Sequence, residues 1–529
     1  MEEKDKVSLN SWLSLGVVVI GTFMSILDST IVNIALPKMM TVFGMPMDDA
    51  KWILTAYSLA LGAIIPLTGY VQDIFGSKRV YMFALTMFTF GSLLCGFAWN
   101  SASMIAFRVI QAIGGGMIMP IGMSIIYEIF PRKKIGLALG VWGIAAMAAP
   151  AIGPTLGGYI IEKLDWRLIF NVNVPIGIIG VVLAGILLKG TKMQKFKPFD
   201  IVGFLSSTIG LVSVLYVFGE GSSIDWTQIH NPILMTLGCL SLVLFVVNEL
   251  THPDPLLDLR VFKLFDFSLS LIITSVLSLA MMGGMYVLPL FLQNIRGYTA
   301  METGIIMFPS AIVVGILMPI SGNLFDKFGA KPIVIPGLVI LAISSIELST
   351  AINMNSSREH IILITCLRSV GMGLAMMPIS TAGMNVIPTK LVGRASALNN
   401  TIRQVASALS ITIMSTLIQS KTNYNYLKLA EQVNNYNQTA ISTISTLTKS
   451  YMHAGLSQGA AKVSAVAYLS KMLQGQATLD AMGYAVAVTA FAVLAAITLT
   501  LLMRSKDSSK KQDKEGERND AKGGAVMSE

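Results

Sequence analysis

The chain has 529 residues, 53% of them hydrophobic and only 13% charged, roughly half the charged fraction of an ordinary soluble domain, so water is not its main solvent. The formal net charge of +9 does not point to a nucleic-acid partner, because the lysines and arginines stand in short clusters between apolar runs and in the tail beyond Met503, as in a membrane protein held by its loops. No G-x-x-x-x-G-K-[ST] phosphate loop occurs, and Cys95, Cys239, Cys366 and the four histidines are scattered, which argues against nucleotide hydrolysis, a disulfide framework, a metal site, a cofactor or an enzyme.

A helix needs about 20 apolar residues to cross the hydrocarbon core. Such runs fall near 11–36, 50–71, 79–98, 102–127, 135–161 and 170–188, then as a pair near 200–218 and 231–250, then near 267–292, 301–322, 332–352, 360–387, 394–418 and 478–502. Fourteen spans are therefore expected. The first run is too long for a signal-peptide core and is expected to stay as a membrane helix. Lys78 and Arg79, then Arg132, Lys133 and Lys134, then Lys189, Lys192, Lys195 and Lys197 fall in alternate loops, and Arg260, Lys263, Lys327, Lys331, Lys390 and Arg394 continue the pattern. The positive-inside bias makes that side cytoplasmic and places both termini there, with Arg504, Lys506, Lys510 and Lys511 in the tail. Lys38, Lys51, Lys163 and Arg167 are exceptions. Residues 419–477 are too polar to span and read as one or two amphipathic helices outside the cell. The end beyond Ser505 has the composition of a disordered tail.

The two halves repeat. G-Y-V-Q-D-I-F-G at 69–76 matches G-N-L-F-D-K-F-G at 322–329, framing Asp73 and Asp326 with glycines at the same spacing. Leu36 and Pro37 match Leu288 and Pro289, Arg108 matches Arg368, Pro120 matches Pro378, and 131–136 matches 388–393. A six-helix unit thus occurs twice around an inserted pair, the plan by which many secondary transporters build two halves that rock about a midplane site.

Several residues carry chemistry within these spans. Asp28 lies well inside the first apolar run, in L-D-S-T-I-V-N-I-A-L-P at 27–37. A carboxylate there must be paired, hydrated or protonated, which suits either a proton-exchanging group or a structural hydrogen bond. In the loop after the second span, Gly69 and Gly76 permit a tight turn, and Asp73 can face a helix N-terminus of the opposite half and hold one closed state. Arg108, with Gln111 one turn later, costs on the order of 3 kcal/mol in an apolar helix unless it meets a polar partner; it is a functional candidate or a packing salt bridge. The fifth span, G-V-W-G-I-A-A-M-A-A-P-A-I-G-P-T-L-G-G at 140–158, combines small residues that allow close helix approach with prolines that allow bending, through Gly143, Pro150, Gly153, Pro154 and Gly157. Glu347 and Arg403 are further charges in apolar runs; Glu347 stands near the outer end of its span, where it is either a second acidic site or solvated.

Taken together, these motifs resemble the major facilitator superfamily in its fourteen-helix drug:proton antiporter branch, of the EmrB/QacA type. G-Y-V-Q-D-I-F-G-S-K-R at 69–79 is close to the superfamily's G-x-L-a-D-r-x-G-r-K/R loop, with Ser77 where a basic residue usually follows, so a charge relay would fall to Lys78 or Arg79 with Glu128. Arg108 and Gln111 with Gly114, Gly115 and Gly116 resemble R-x-x-Q-G-x-G, 140–158 resembles the exporters' G-x-x-x-G-P-x-x-G-G, and 27–37 nearly repeats L-D-x-T-I-V-N-V-A-L-P. Trp52 with Tyr57, W-R-L-I-F-N-V-N-V-P-I-G at 166–177, P-L-L-D-L-R at 255–260, and G-R-A-S-A at 393–397 with Arg403 and Gln404 support the branch and are expected mainly to set helix ends and contacts. The resemblance implies proton coupling at Asp28 and Arg108, cavity or substrate positions at Asn33, Tyr57, Gln111, Glu347 and Arg403, and gating at Gly69, Asp73, Gly76, Arg79, Glu128, Asp326 and the fifth span.

The expected fold is all-α: a six-helix bundle over 1–190, an inserted helix pair over 191–255, a second bundle over 256–503 that includes the excursion at 419–477, and a tail over 504–529. The expected function is alternating-access export of small lipophilic or cationic compounds in exchange for protons, by a monomer in a bacterial cell membrane. Its partners are then the substrate, protons and the lipid bilayer. Proton entry supplies about 2.3 kcal/mol per charge per 100 mV, enough for roughly a fifty-fold gradient. The cavity is expected between the halves, lined mainly by Met, Phe, Tyr and Leu; the 32 methionines fit an adaptable lining or ordinary packing. No carboxylate lies deep in the tenth or thirteenth span, which argues against a preference for divalent cations. A dedicated exporter or flippase of an endogenous lipid, antibiotic or signalling molecule is the transport alternative, and a non-transporting scaffold or sensor the alternative of another class.

Overall fold

The computed structural model describes residues 7–190, 198–220, 224–388, 391–434 and 436–503. The tail at 504–529, Lys192, Lys195, Lys197, Lys390 and the side chain of Pro154 lie outside this description. The described residues are helical and contain no strand. In chain order the α-helices are α1 (Leu9–Phe43), α2 (Met47–Ile64), α3 (Leu67–Phe75), α4 (Ser77–Gly96), α5 (Ser101–Ile129), α6 (Ile135–Lys163), α7 (Leu168–Asn171), α8 (Asn173–Leu187), α9 (Ile201–Glu220), α10 (His230–Thr251), α11 (Phe265–Met285), α12 (Val287–Leu290), α13 (Ala300–Phe328), α14 (Lys331–Ala351), α15 (Arg358–Asn385), α16 (Val392–Ala430), α17 (Gln438–His453) and α18 (Gln458–Leu502). Twelve are long and apolar enough to cross a membrane, and the two bent pairs bring the number to fourteen among the described residues.

Local sequence explains the breaks. The second expected span is α2 plus α3, bent by 54° next to Pro66, which cannot donate to the helical ladder. In α6 the axis turns by 41° between its part ending at Pro150 and its part beginning at Thr155. The ninth span runs from α11 through α12 into a π-turn over Phe291–Ile295. Starts are capped by side chains: Asn100 and Ser103 form a reciprocal box on α5, and Thr299 and Glu302 form one on α13, each satisfying two backbone donors that a helix end leaves open. The 255–260 run sets helix ends in the same sense, because Asp258 accepts from Arg260 N at 3.1 Å and Glu249 accepts from Leu257 N at 2.9 Å.

In the first bundle α5 is central, with 78% of its apolar window buried, whereas α10 at the margin buries 22%. The inserted pair lies alongside, α9 packing on α2 and on α16, with Trp52 of α2 stacked on Tyr216 at 5.7 Å. Residues 419–477 are mostly helical where described, as expected: the end of α16, all of α17 and the start of α18 make them up, because apolar residues recur among the polar ones often enough for amphipathic helices.

The halves meet along α6 and α13. Gly136 and Gly322 face each other so closely that a Cβ on either would overlap the other's backbone, and a Cβ on Gly140 would stand 2.5 Å from the Met318 carbonyl oxygen. Small residues are what allow this approach. All of this lies toward the end that carries the basic loops.

Candidate functional site

A polar cluster is sealed inside the first bundle. The Arg108 guanidinium of α5 donates through Nη1 to Asp28 Oδ2 of α1 at 2.5 Å and to Gln111 Oε1 at 2.6 Å. Gln111 Nε2 donates to Asp28 Oδ1 at 2.9 Å and to Ser92 Oγ of α4 at 2.7 Å, and Asn173 Nδ2 of α8 donates to Asp28 Oδ1 at 2.9 Å. Asp28 and Arg108 are each 1% exposed. The Tyr57 ring lies under the guanidinium, 3.8 Å from centroid to Cζ, adding a cation–π contact. α5 and α8 thus converge on one carboxylate of α1 whose charge is matched by one cation and two amide donors, the arrangement that makes a buried pair tolerable. Taking away one partner would leave the other charge uncompensated, at a cost of about 3–5 kcal/mol.

Asn173 and Ser92 did not stand out in the sequence. Asn173 had a signal, an amide together with Asn171 at the start of the apolar sixth span; Ser92 had none, since a hydroxyl can satisfy itself on its own helix, as Ser92 also does on the Phe88 carbonyl.

The candidates outside this cluster are dispersed. Asn33 is exposed and donates to Ser29 O of its own helix at 3.2 Å. Glu347 is exposed on α14. Arg403 of α16 reaches across to α5, donating to Met119 Sδ at 3.5 Å and to Asn400 Oδ1 at 3.0 Å. None of these, nor Tyr57 or Gln111, lines the methionine-rich cavity between α6 and α11–α15.

At the seam, each of the two Gly-framed loops sets an aspartate against the opposite half, by different contacts. Asp326 accepts from the backbone N–H groups of Gly136 and Leu137, both at 3.0 Å, and so sits on the N-terminus of α6 in the opposite half, where dipole and free donors favour a carboxylate. Asp73 pairs with Arg394 Nε at 3.0 Å, one turn into α16 of the opposite half, while a Cβ on Gly69 would press on Arg394 Cα at 3.0 Å. The second glycine of each loop, Gly76 at φ 79° and Gly329 at φ 83°, occupies the left-handed region that a side chain disfavours. Glu128 accepts from Ser77 Oγ at 2.6 Å, so the serine that departs from the family pattern supplies its partner. Lys78 instead donates to Gly185 O at 2.6 Å, and Arg79 is exposed at the start of α4.

The small residues of α6 divide into two faces. Gly136, Gly140 and Gly143 meet the opposite half, with a Cβ on Gly143 falling 2.5 Å from Met318 Sδ. Gly153 and Gly157 instead pack on Thr30 and Ile31 of α1, inside their own half. An inter-half role for that pair therefore does not describe this conformation; the bend in α6 turns them onto α1.

A cavity bordered by α6 and α11–α15 holds about 700 Å³ of empty space, its mouth included. It is asymmetric, because only Met147 and Pro150 come from the first bundle. The remaining lining belongs to α11–α15 and includes Met281, Met285, Met307, Met372 and Arg368, with no Phe, Tyr or acidic residue among the described lining residues. The expected aromatic lining is absent among the described lining residues of this cavity: some Phe and Tyr pack into cores, as Phe88, Phe170 and Tyr81 do at 0% exposure, others such as Phe83 and Phe90 face outward, and flexible methionines fill the irregular space.

The Major Facilitator Superfamily model matches residues 18–411. An uncharacterized MFS-type transporter YhcA of Bacillus subtilis (strain 168) is 36% identical over 519 residues, 97% of each chain. The lincomycin resistance protein LmrB of Listeria monocytogenes is 31% identical over 411 residues, 78% of this chain and 87% of its own. Among solved structures, the proton:xylose symporter XylE bound to 6-bromo-6-deoxy-D-glucose superposes with a TM-score of 0.60 at 13% identity, covering 94% of this chain and 97% of that one; it shares the fold. With two six-helix bundles, an inserted pair and a relative that matches it almost end to end, the chain is a multi-pass membrane protein that belongs to the Major Facilitator Superfamily, in its fourteen-helix branch.

Proposed function

We infer that the protein is a proton-coupled antiporter that exports small, mostly lipophilic compounds by alternating access, with both termini in the cytoplasm of a bacterial cell and a single chain as the working unit. The observation that carries this reading is the carboxylate of Asp28, buried against Arg108 where α1, α5 and α8 meet. A proton placed on it removes the charge that holds Arg108, so protonation and helix arrangement are coupled through one contact. The resistance role in the name of LmrB and the export signature at 140–158 support the outward direction. The contacts of Asp326 with α6 and of Asp73 with Arg394 support a state closed at the basic, cytoplasmic end, leaving the methionine-lined cavity to open outward. Inverted membrane vesicles test the reading. An imposed proton gradient is expected to drive accumulation of lipophilic dyes and to release protons when substrate is added; accumulation unaffected by collapse of the gradient would overturn it.

A further inference from the structure

Arg368 is the repeat counterpart of Arg108, 260 residues later, and at the 252-residue offset that relates Leu36 and Pro37 to Leu288 and Pro289 the counterpart of Asp28 is Ala280. The geometry repeats while the charge does not. Arg368 Nη2 donates to the backbone carbonyl of Ala280, and Nε donates to Ser345 Oγ at 3.2 Å. No carboxylate among the described residues pairs with it. It is only 9% exposed, yet it lines the methionine-rich cavity. Nη1 has no hydrogen-bond partner among the described residues and lies over Gly284, where any Cβ would collide with it.

We propose that Arg368 is an anion subsite: the transported molecule presents a carboxylate to its guanidinium while its apolar body rests on the methionines of the cavity. This rests on the export reading and narrows its substrate class to lipophilic organic acids. A buried guanidinium with dipoles but no counter-charge is stabilised most by an anion that accepts from its free edge. No carboxylate stands among the described lining residues to compete, and the five methionines that line the cavity adapt to varied apolar shapes. A lipophilic cation would meet like charge in a low-dielectric space. Export of an anion also moves with an inside-negative potential, in the same electrical sense as proton entry.

The test uses three probes with one apolar body: 1-pyrenebutyric acid, its primary amide and 1-pyrenebutylamine, bound at equilibrium to the purified full-length protein. The acid is expected to bind about tenfold tighter than the amide, with the amine weakest. Arg368→Gln is expected to lower acid affinity about tenfold while leaving the amide within about twofold, and Arg368→Lys to retain part of the preference. An amine that binds as tightly as the acid, or an Arg368→Gln protein that keeps the acid preference, overturns the subsite. Should Arg368→Gln fail to fold, the ranking of the three probes on the wild type decides. The export reading is separable: Arg368-dependent acid binding without proton-driven transport leaves the subsite standing and removes the reading, and proton-driven transport of the amine without acid preference does the reverse.

Discussion

The two bundles hold an arginine at equivalent places, and they treat it in opposite ways. Arg108 is neutralised by Asp28, shielded at 1% exposure and tied into an amide network; Arg368 faces a cavity with a backbone carbonyl and a hydroxyl for company. Asp28 against Ala280 is the difference in charge between them, and Gln111 against Gly371 removes the amide as well. The two copies of the bundle thus treat one arginine differently, its charge balanced internally in one and without a counter-charge among the described residues in the other.

The largest effect that can break this comparison is on stability. Asp28→Ala strands a buried guanidinium and is expected to cost about 3–5 kcal/mol, whereas Arg368→Met removes a charge with no counter-charge and is expected to stay within about 1 kcal/mol of wild type. Denaturation of the two purified variants, read by tryptophan fluorescence, checks this; equal losses would mean the halves do not differ. Next in size is Ala280→Asp, which rebuilds the first-half pair in the second half. It is expected to lower 1-pyrenebutyric acid affinity by about tenfold or more and to leave the neutral amide nearly unchanged.

A smaller effect separates the two faces of α6. Gly322→Leu is expected to push the halves apart where Gly136 approaches, shifting the protein away from the state closed at the basic end; Gly153→Leu strains α1 against α6 within one half and is expected to leave that distance unchanged. Spin-label distances across the α3 and α13 ends read both.

Much of the fold was legible because a bilayer constrains sequence more strictly than water does: span length, loop charge and repeated loops gave fourteen helices and two related bundles without any contact being known. The polar residues at Asp28, Arg108 and Gln111 were legible for the same reason, since each is costly in an apolar run. Helix facing was not. A helix that is apolar all round carries no moment that says which side meets which neighbour, so the turn of Gly153 onto α1, the one-sided cavity and the exposure of Asn33 and Glu347 came only from the packed structure. Arg368 shows the limit most clearly. Its position was visible as a repeat match, but its lack of a counter-charge depends on Ala280, a residue that draws no notice alone.

The central claim is that the first-half pair carries the proton, and Asp28→Asn tests it most directly, because the amide keeps the size and much of the hydrogen bonding while removing titration. Substrate-induced proton release and gradient-driven efflux are measured together, with Asp28→Asn/Arg108→Gln as the variant that removes both charges and guards against misfolding. The expected result is that both Asp28 variants bind substrate, neither releases protons on binding, and neither concentrates substrate against its gradient. Proton release and efflux coupled at near the wild-type rate in Asp28→Asn would contradict the account.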